Sequence, residues 1–412
     1  MIKQGLAISI ALLVCFRINL NAQAPSDGSR AKLHSIIENV ALANARRYDT
    51  KDNLSQSMDC AKIINNPNGG YLAVYHHYVN GVPKVFIASS ANFTTWTMVK
   101  ELASQASQPT IAVASDGGFV MAWEQEPGNH LKICYYTDLV NLYNATPSKT
   151  CDVTRKLSNC AEGTPSIYSA SSTLVDVGFH YYQNCDVDRQ ARGTLTNFST
   201  WTCKAQDNVD NAMLYWGVKG NIGDRDAFEF EGYKFGLFEG QFIKGDFGSW
   251  RSFIYDYQTG NAEQLNIATD KGSTAFANPT ASNMIIDGKK ALAITLFVPS
   301  EGAKNGEAGA LIYYKTIENI TTSINQKYPE NEDISVFPNP VHSILTIRTN
   351  ELLVKQVKIS DMQGRVVYDN YESFTGSKTL DLSRLHSGLY TLLLISSKSS
   401  DDFQKSFLIQ IL

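Results

Sequence analysis

The chain writes one short phrase twice. Asn92-Phe93-Thr94-Thr95-Trp96 returns as Asn197-Phe198-Ser199-Thr200-Trp201, each time after a strand-like run, Val85 to Ser89 and then Arg192 to Leu195. A looser version, Asp138-Leu139-Val140-Asn141-Leu142-Tyr143, follows Lys132 to Thr137. Self-similarity at a period of tens of residues is the sequence sign of a repeat architecture. A second element recurs in register with the first: a polar corner, a strand, a short turn and a very apolar strand. The corners are Asp59-Cys60, Gln108-Pro109, Thr164-Pro165, Asp224-Arg225-Asp226 and Asn278-Pro279. The apolar strands run from Tyr71, Phe119, Val175, Phe235 and Ala291. From Cys60 through Pro109, Pro165 and Arg225 to Pro279 the steps are 49, 56, 60 and 54 residues. Five units of that length, each of three or four short strands, predict an all-β, five-bladed β-propeller. Apolar runs wider than strict alternation suit strands covered on both faces by neighbouring blades. The competing architecture is a large β-sandwich with accidental similarity.

The 412 residues suffice for two or three domains, and 20 Tyr, 19 Phe and 5 Trp can fill a sizeable core. Net charge is −4 and no basic patch stands out, so nucleic acid is not an expected partner. Residues 1–23 read as a signal peptide: Lys3, a short apolar core from Leu6 to Phe16, and small residues for cleavage at Ala22-Gln23-Ala24. That core is too short to span a bilayer, so no transmembrane segment is expected in the mature chain. Val14 stands before Cys15 where a lipoprotein signal wants a small residue, which argues against lipidation. Six cysteines remain after cleavage: Cys60, Cys134, Cys151, Cys160, Cys185 and Cys203. An even number in an exported chain predicts disulfides, with about fifteen connectivities open. No Cys-x-x-Cys or His-Glu-x-x-His is present, so zinc has no support.

Residues 24–49 form an N-terminal helical segment, with one helix expected over 29–47 on the stripe Leu33, Ile36, Ile37, Val40 and Ala41. The propeller follows over 50–320, then a polar linker, 321–332. In a propeller the first strands line the channel, so their entry corners converge on one mouth. That gathers Asp59, Gln108, Glu162, Thr164, Asp224, Arg225, Asp226 and Asn278. His76, His77, Trp123, Glu124, His180, Tyr181 and Glu239 end second strands and belong to the same mouth or to the outer wall. The fourth repeat is dense in carboxylates beside Arg225 and Arg251. Buried charge must be paired. Three readings are open: a structural ion-pair network, a polar ligand cluster, or a calcium site using Asp224, Asp226 and Glu231 without the spacing of a known loop. No other cofactor is expected.

Residues 333–412 carry four signals in order: Phe337-Pro338-Asn339-Pro340, Asp361-Met362-Gln363-Gly364-Arg365, Leu380-Asp381-Leu382-Ser383 and Ser387-Gly388-Leu389-Tyr390. Short alternating strands between turns make a small Ig-like β-sandwich. The segment resembles the type A C-terminal sorting domain of the type IX secretion system of Bacteroidetes. That resemblance implies export to the periplasm, passage through the outer membrane by the type IX machinery, and release or attachment at the cell surface. The end departs from the family, which often carries Lys in its last few residues, whereas here the nearest is Lys405.

The propeller segment resembles the five-bladed furanosidase-type glycoside hydrolases, through the Asn-Phe-Thr-Thr-Trp phrase and the Pro-containing corners. The resemblance implies a polysaccharide or oligosaccharide partner. It also implies a general-base Asp on the first blade, an acid-tuning Asp on the second and a general-acid Glu on the third. Inverting hydrolysis needs two carboxyls roughly 6.5–9.5 Å apart. Asp59 fits the base, and Glu162-Gly163-Thr164-Pro165 is similar to the acid's Glu-Gly-Pro with one residue inserted. Gln108 stands where the family has Asp and cannot supply its charge. Without catalysis, Glu162 is an exposed loop acid and Asp59 caps a turn. Substrate-binding candidates are Gln108, Trp123, His180, Asp224, Arg225, Asp226, Glu239 and Asn278. Gly-x-Ser-x-Gly and a phosphate loop are absent. Two functions remain: a secreted carbohydrate-active enzyme, or a non-catalytic propeller that binds glycan or protein through Trp123, Tyr181 and Trp216.

Overall fold

Five four-stranded antiparallel sheets follow one another between residues 45 and 316. Blade I is Asp59–Asn65, Tyr71–Val79, Val82–Ser90 and Thr97–Ser104. Blade II is Ala106–Val113, Phe119–Gln125, His130–Tyr136 and Lys149–Asp152. Blade III is Glu162–Ala170, Leu174–Gln183, Val187–Thr196 and Thr200–Ala205. Blade IV is Arg225–Phe230, Tyr233–Gln241, Trp250–Asp256 and Asn261–Gln264. Blade V takes Ala277–Ile286, Lys289–Val298 and Gly309–Thr316 from the end of the segment and Ala45–Arg47 from its start, paired Ala45↔Tyr314 and Arg47↔Ile312. The first strand of each blade packs on the first strand of the next, and blade V returns to blade I. That closed cycle of radial sheets is a β-propeller, and it removes the exposed sheet edges an open stack would leave. The computed structural model describes residues 26–317, 334–338, 341–349, 352–361, 365–398 and 401–411. The expected signal peptide and linker, with Asn339-Pro340 and Met362 to Gly364, lie outside the described residues.

The repeated phrase is a turn between third and fourth strands. In the first copy Asn92 Oδ1 accepts the N–H groups of Thr94 (3.1 Å) and Thr95 (2.9 Å). Phe93 takes φ +65°. This drives Phe93 and Trp96, 3% and 2% exposed, into the seam with blade V, where Phe93 meets Tyr314 edge-on at 4.9 Å. Phe198 and Trp201 do the same between blades III and II. The looser copy differs. Asp138 caps a short helix, Leu139–Tyr143, through Asn141 N–H at 2.8 Å, and only Leu142 is buried.

The N-terminal helix ends earlier than its apolar stripe suggested. It spans Ser26–Glu38, and Ala45–Arg47 are the closing strand of blade V. Ring closure outweighs helix propensity there, because the edge of blade V offers three residues a ladder. Leu33, Ile36, Ile37 and Val40 bury against Phe228, Phe235 and Leu292 of blades IV and V. Arg30 pairs with Asp256 at 3.0 Å and His34 bridges Glu38 and Glu263 at 2.8 and 2.9 Å.

The chain divides into two compact units, residues 1–318 and 319–412. In the second, a three-stranded sheet (Ile334–Phe337, Ile344–Thr349, Ser377–Asp381) and a four-stranded one (Leu353–Asp361, Val366–Asn370, Gly388–Lys398, Asp401–Ile411) share one apolar core around Leu345, Val357, Leu392 and Ile409. Of the cysteines, Cys160 and Cys185 form a disulfide, whereas Cys60, Cys134, Cys151 and Cys203 are free. The expectation of full pairing is therefore corrected. Cys151, for example, stands opposite Ile133 and not opposite Cys134, so the two side chains leave the sheet on opposite faces.

Candidate active or binding site

Four of the five first strands open on a β-bulge. The ladder slips between Asp59 and Lys62, Ser107 and Thr110, Gly163 and Ser166, and Ala277 and Thr280. At these places Cys60, Gln108, Thr164 and Asn278 take φ of +53°, +52°, +47° and +50°. Bulges re-aim side chains, and left-handed non-glycine residues concentrate at functional sites. Here they turn Gln108, Thr164 and Asn278 into one cup at the channel mouth, with Cys60 held just beneath the floor. Asp224, just before the unbulged first strand of blade IV, completes the floor. The register makes Cys60 the counterpart of Gln108. Asp59 stands one residue earlier, on the cup's wall. Cys60 Sγ donates to Gln108 Oε1 and accepts from Asn278 Nδ2, with Asp224 Oδ2 at 3.9 Å. Burial first, then the Asp224 charge, pushes its thiol well above the ordinary value, so it is neutral and no nucleophile.

The second strands supply a ring of wall residues. Asp59 pairs with His76, Ser107 with Glu124, Gly163 with His180 and Ala277 with Phe297, while Glu239 N–H donates to Asp224 O. Several of these reach to the bulge of the following blade. His76 Nδ1 accepts the Gln108 N–H (3.3 Å), the Glu124 carboxyl accepts that of Thr164, and Glu239 Oε2 accepts that of Asn278. With Nδ1 so engaged, the neutral His76 ring carries its proton on Nε2. The cup so formed holds about 600 Å³ and draws lining from all five blades, with Asp188, Tyr182, Tyr78, Phe247 and Trp250 further out. Tyr78 and Phe247 at the rim are 63% and 57% exposed.

Not every expected residue is in the cup. Gln108, His180, Asp224, Glu239, Asn278 and Asp59 line it. Trp123 does not: strand alternation sends it to the opposite face, where it is 3% exposed in the core and its Nε1 donates to Gln125. Tyr181 and His77 follow the same rule, His77 stacking on Phe86 at 4.2 Å. Trp216 lies at the end of the helix Asp207–Tyr215 and donates to Ala262 O. Arg225 and Asp226 sit beneath the floor. Arg225 gives its guanidinium to Gln190, Thr164 O and Gly223 O. Asp226 pairs with Lys62 across the channel and accepts from Ser166 and from the Ala281 N–H. Little more than about 20 Å³ is left open there. Glu231 is spent on Lys32 and Ser29 of the helix. Asp224, Asp226 and Glu231 are thus not gathered into one calcium site. Among the described residues no cluster of three His, Cys, Asp or Glu could hold a metal.

Glu162 is the largest departure. It is fully buried, not an exposed loop acid, and it does not line the cup. Its Oε1 accepts the N–H groups of Lys156, Leu157 and Ser158 at 2.7, 2.5 and 3.1 Å. That is a loop clamp. The expected pair of Asp59 and Glu162 is not assembled across the cup.

Burial, reinforced by mutual repulsion, dominates the electrostatics. Burial first, then Asp224 and Asp188, lifts Glu124 to about 8. Burial takes Asp188 to about 6 and raises Asp59. Asp224 rises through burial too, with Arg225 pulling back, and Glu239 goes well above the carboxylate range through burial and the Asp224 charge. His76 falls to about 4 and His180 to about 3, again through burial first, so both rings are neutral near pH 7. Asp188 was missed in the sequence. It starts a third strand behind the Cys160–Cys185 hairpin, where no repeated phrase marks it.

Residues 335–410 match the family model for a secretion system C-terminal sorting domain. This bears out the resemblance to type IX cargo tails, and the tail marks the chain for export to the cell surface or the extracellular space. Among the described residues no helix is long and apolar enough to cross a membrane. No curated protein matches the sequence. Among solved structures, the chain is similar to an exo-1,5-alpha-L-arabinanase from a bovine ruminal metagenomic library at 11% identity, covering 64% of this chain and 95% of that one, with TM-score 0.45. A GH43 endo-arabinanase from Bacillus licheniformis gives 10% identity, 65% and 96% coverage and TM-score 0.42. A GH32 beta-fructofuranosidase from Bombyx mori gives 13% identity, 90% and 86% coverage and TM-score 0.42.

Proposed function

We propose that the chain is an exported propeller that binds the end of an oligosaccharide or polysaccharide in the cup. The observation that carries this reading is the lining. One concavity of about 600 Å³ combines carboxyls, amides and imidazoles from five blades with exposed Tyr78 and Phe247 at its rim. Ligand sites of roughly 300–1,000 Å³ with a few convergent polar groups are the usual form for small molecules. Alternating donors and acceptors suit hydroxyls, and aromatic faces suit the apolar face of a sugar ring. Binding without turnover is favoured because Glu162 clamps a loop and Gln108 carries no charge.

A hydrolase is the second reading, and one feature favours it. Glu124, lifted to about 8, is protonated at neutral pH and could serve as an acid opposite the ionisable Asp59. A panel of plant and algal oligosaccharides offered to the full chain tests both, with calorimetric binding and reducing-sugar release read in parallel. Binding without release is the expected result, weakened at least tenfold by Asp59→Asn. Release lost in Asp59→Asn would establish the enzyme instead. No binding to any saccharide would overturn both readings.

A further inference from the structure

The cup has an unbalanced charge inventory. Its lining includes five carboxyls, on Asp59, Glu124, Asp188, Asp224 and Glu239, and no lysine or arginine. Two guanidiniums act on it from outside the lining: Arg225, below the floor, donates to two backbone carbonyls and Gln190, and Arg189, beside Asp188, donates to the carbonyls of Asp188 and Gly220. His76 and His180 face the cup as neutral rings. Carboxyls held close in a buried site without a counter-cation are costly in their charged form, so they stay protonated or wait for a cation. Glu124 and Asp188 are the least committed. Glu124 takes one backbone N–H and has its carboxyl against Gly163, where an added Cβ would stand 2.6 Å from Glu124 Cδ. The side-chain carboxyl of Asp188 has the neutral His180 ring at 3.6 Å.

A second observation points to a ligand independently of the acids. His76 is 7% exposed, and its Nδ1 is engaged by the Gln108 N–H. Its Nε2–H has no hydrogen-bond partner among the described residues, and the ring lines the cup. The cup therefore presents a donor edge on blade I and an excess of acid on blades II to IV. Such a wall suits a molecule with hydroxyls and a cation on one small ring.

We propose that the saccharide taken by the cup bears a free, protonated amino group, as in an oligomer of de-N-acetylated hexosamine, with the ammonium seated by Glu124 and Asp188; this rests on the carbohydrate reading above. An inorganic cation is a poorer occupant, because no three metal-ligating side chains among the described residues are gathered for it. A lysine side chain is slender and would leave a cup of about 600 Å³ mostly unfilled.

The test is calorimetric titration of the full chain, near neutral pH, with a glucosamine tetramer, its fully N-acetylated counterpart and a trilysine peptide. The expected result is a preference of about tenfold or more for the free amine over the acetamide, worth about 1.4 kcal/mol. Glu124→Gln and Asp188→Asn should each bring the ratio of the two affinities down to about one. If Glu124→Gln fails to fold, Asp188→Asn carries the comparison alone. Equal affinity for amine and acetamide in the parent would overturn this inference and leave the carbohydrate reading standing. Tighter binding of trilysine than of either sugar would also overturn it. Binding of no saccharide at all would remove both.

Discussion

Glu162→Gln separates a structural role from a chemical one. The parent side chain is fully buried and its Oε1 receives three backbone N–H groups, from Lys156, Leu157 and Ser158. Hydrogen bonds to a charged acceptor are worth roughly 1.5–3 kcal/mol, neutral ones about 1 kcal/mol. Neutralising the acceptor while keeping its shape therefore costs about 1 kcal/mol per bond, or about 3 kcal/mol in all. The new amide N–H replaces Oε2, itself buried without a partner, so one unmet buried group is exchanged for another and the sum stays at about 3 kcal/mol. For a unit of this size the entropy of unfolding is about 0.6 kcal/mol/K, so about 3 kcal/mol lowers Tm by about 5 °C. Scanning calorimetry of parent and variant measures this directly. Saccharide binding by the folded variant should persist, since Glu162 does not line the cup. A variant with the parent's Tm would refute the clamp. If the parent releases reducing sugar and this same variant does not, at unchanged Tm, Glu162 becomes the acid that the Glu-Gly-Thr-Pro motif suggested.

Two further outcomes follow from the geometry. The Cys160–Cys185 disulfide closes a loop of separation 25, which the chain-entropy relation values at about 3.5 kcal/mol. Cys160→Ser with Cys185→Ser should lower Tm by about 6 °C and also weaken saccharide binding, because Ala161 and Tyr182 line the cup beside the bridge. A double variant matching the parent in both calorimetric readings would sink that view. His34 gains its proton affinity first from Glu263 and then from Glu38, so its folded pKa lies above the unfolded value of about 6.5. Its stabilisation is complete below about 6.5 and is lost as pH rises through the folded value. The stability gap between parent and His34→Gln should therefore narrow as pH rises above about 6.5 in denaturant titrations, and a gap that widens would refute the pairing.

Much of the fold was legible because it is written in periodic terms. The Asn-Phe-x-Thr-Trp phrase survives because its Asn must cap a turn while its Phe and Trp fill a seam between blades. The seam-filling task recurs in the second copy with Phe198 and Trp201, so the aromatic residues recur. The sorting tail was legible for the same kind of reason, as an ordered series of turns and strands. The closing strand was not. Ala45–Arg47 has no apolar signature of its own, being half-buried or exposed, and it exists because blade V lacks a fourth strand. Such a requirement is tertiary and leaves no local pattern.

The site was legible to within one residue, and one residue was decisive. Period-two alternation sends neighbours to opposite faces, so Glu124 reaches the cup while Trp123 enters the core. The sequence shows that one of the two faces the mouth, but not which, because the bulge that sets the phase depends on the whole blade. The same shift governs the corners. In blade I the bulge is at Cys60, so Asp59 stands on the wall of the cup and a neutral thiol lies beneath its floor. In blade III the bulge falls at Thr164, just before Pro165, as at Gln108 and Asn278, so Glu162 stands two residues ahead of it and turns back into the loop behind. A missing charge at Cys60, an uncharged Gln108 and a withdrawn Glu162 all act in one direction. They remove ionised groups from the floor, while Glu124 and Asp188 add acid to the wall. Chemistry in this cup, whether recognition or turnover, therefore has to be sought in the wall residues of the second and third strands, and substitutions there are the ones that should change which ligand it takes.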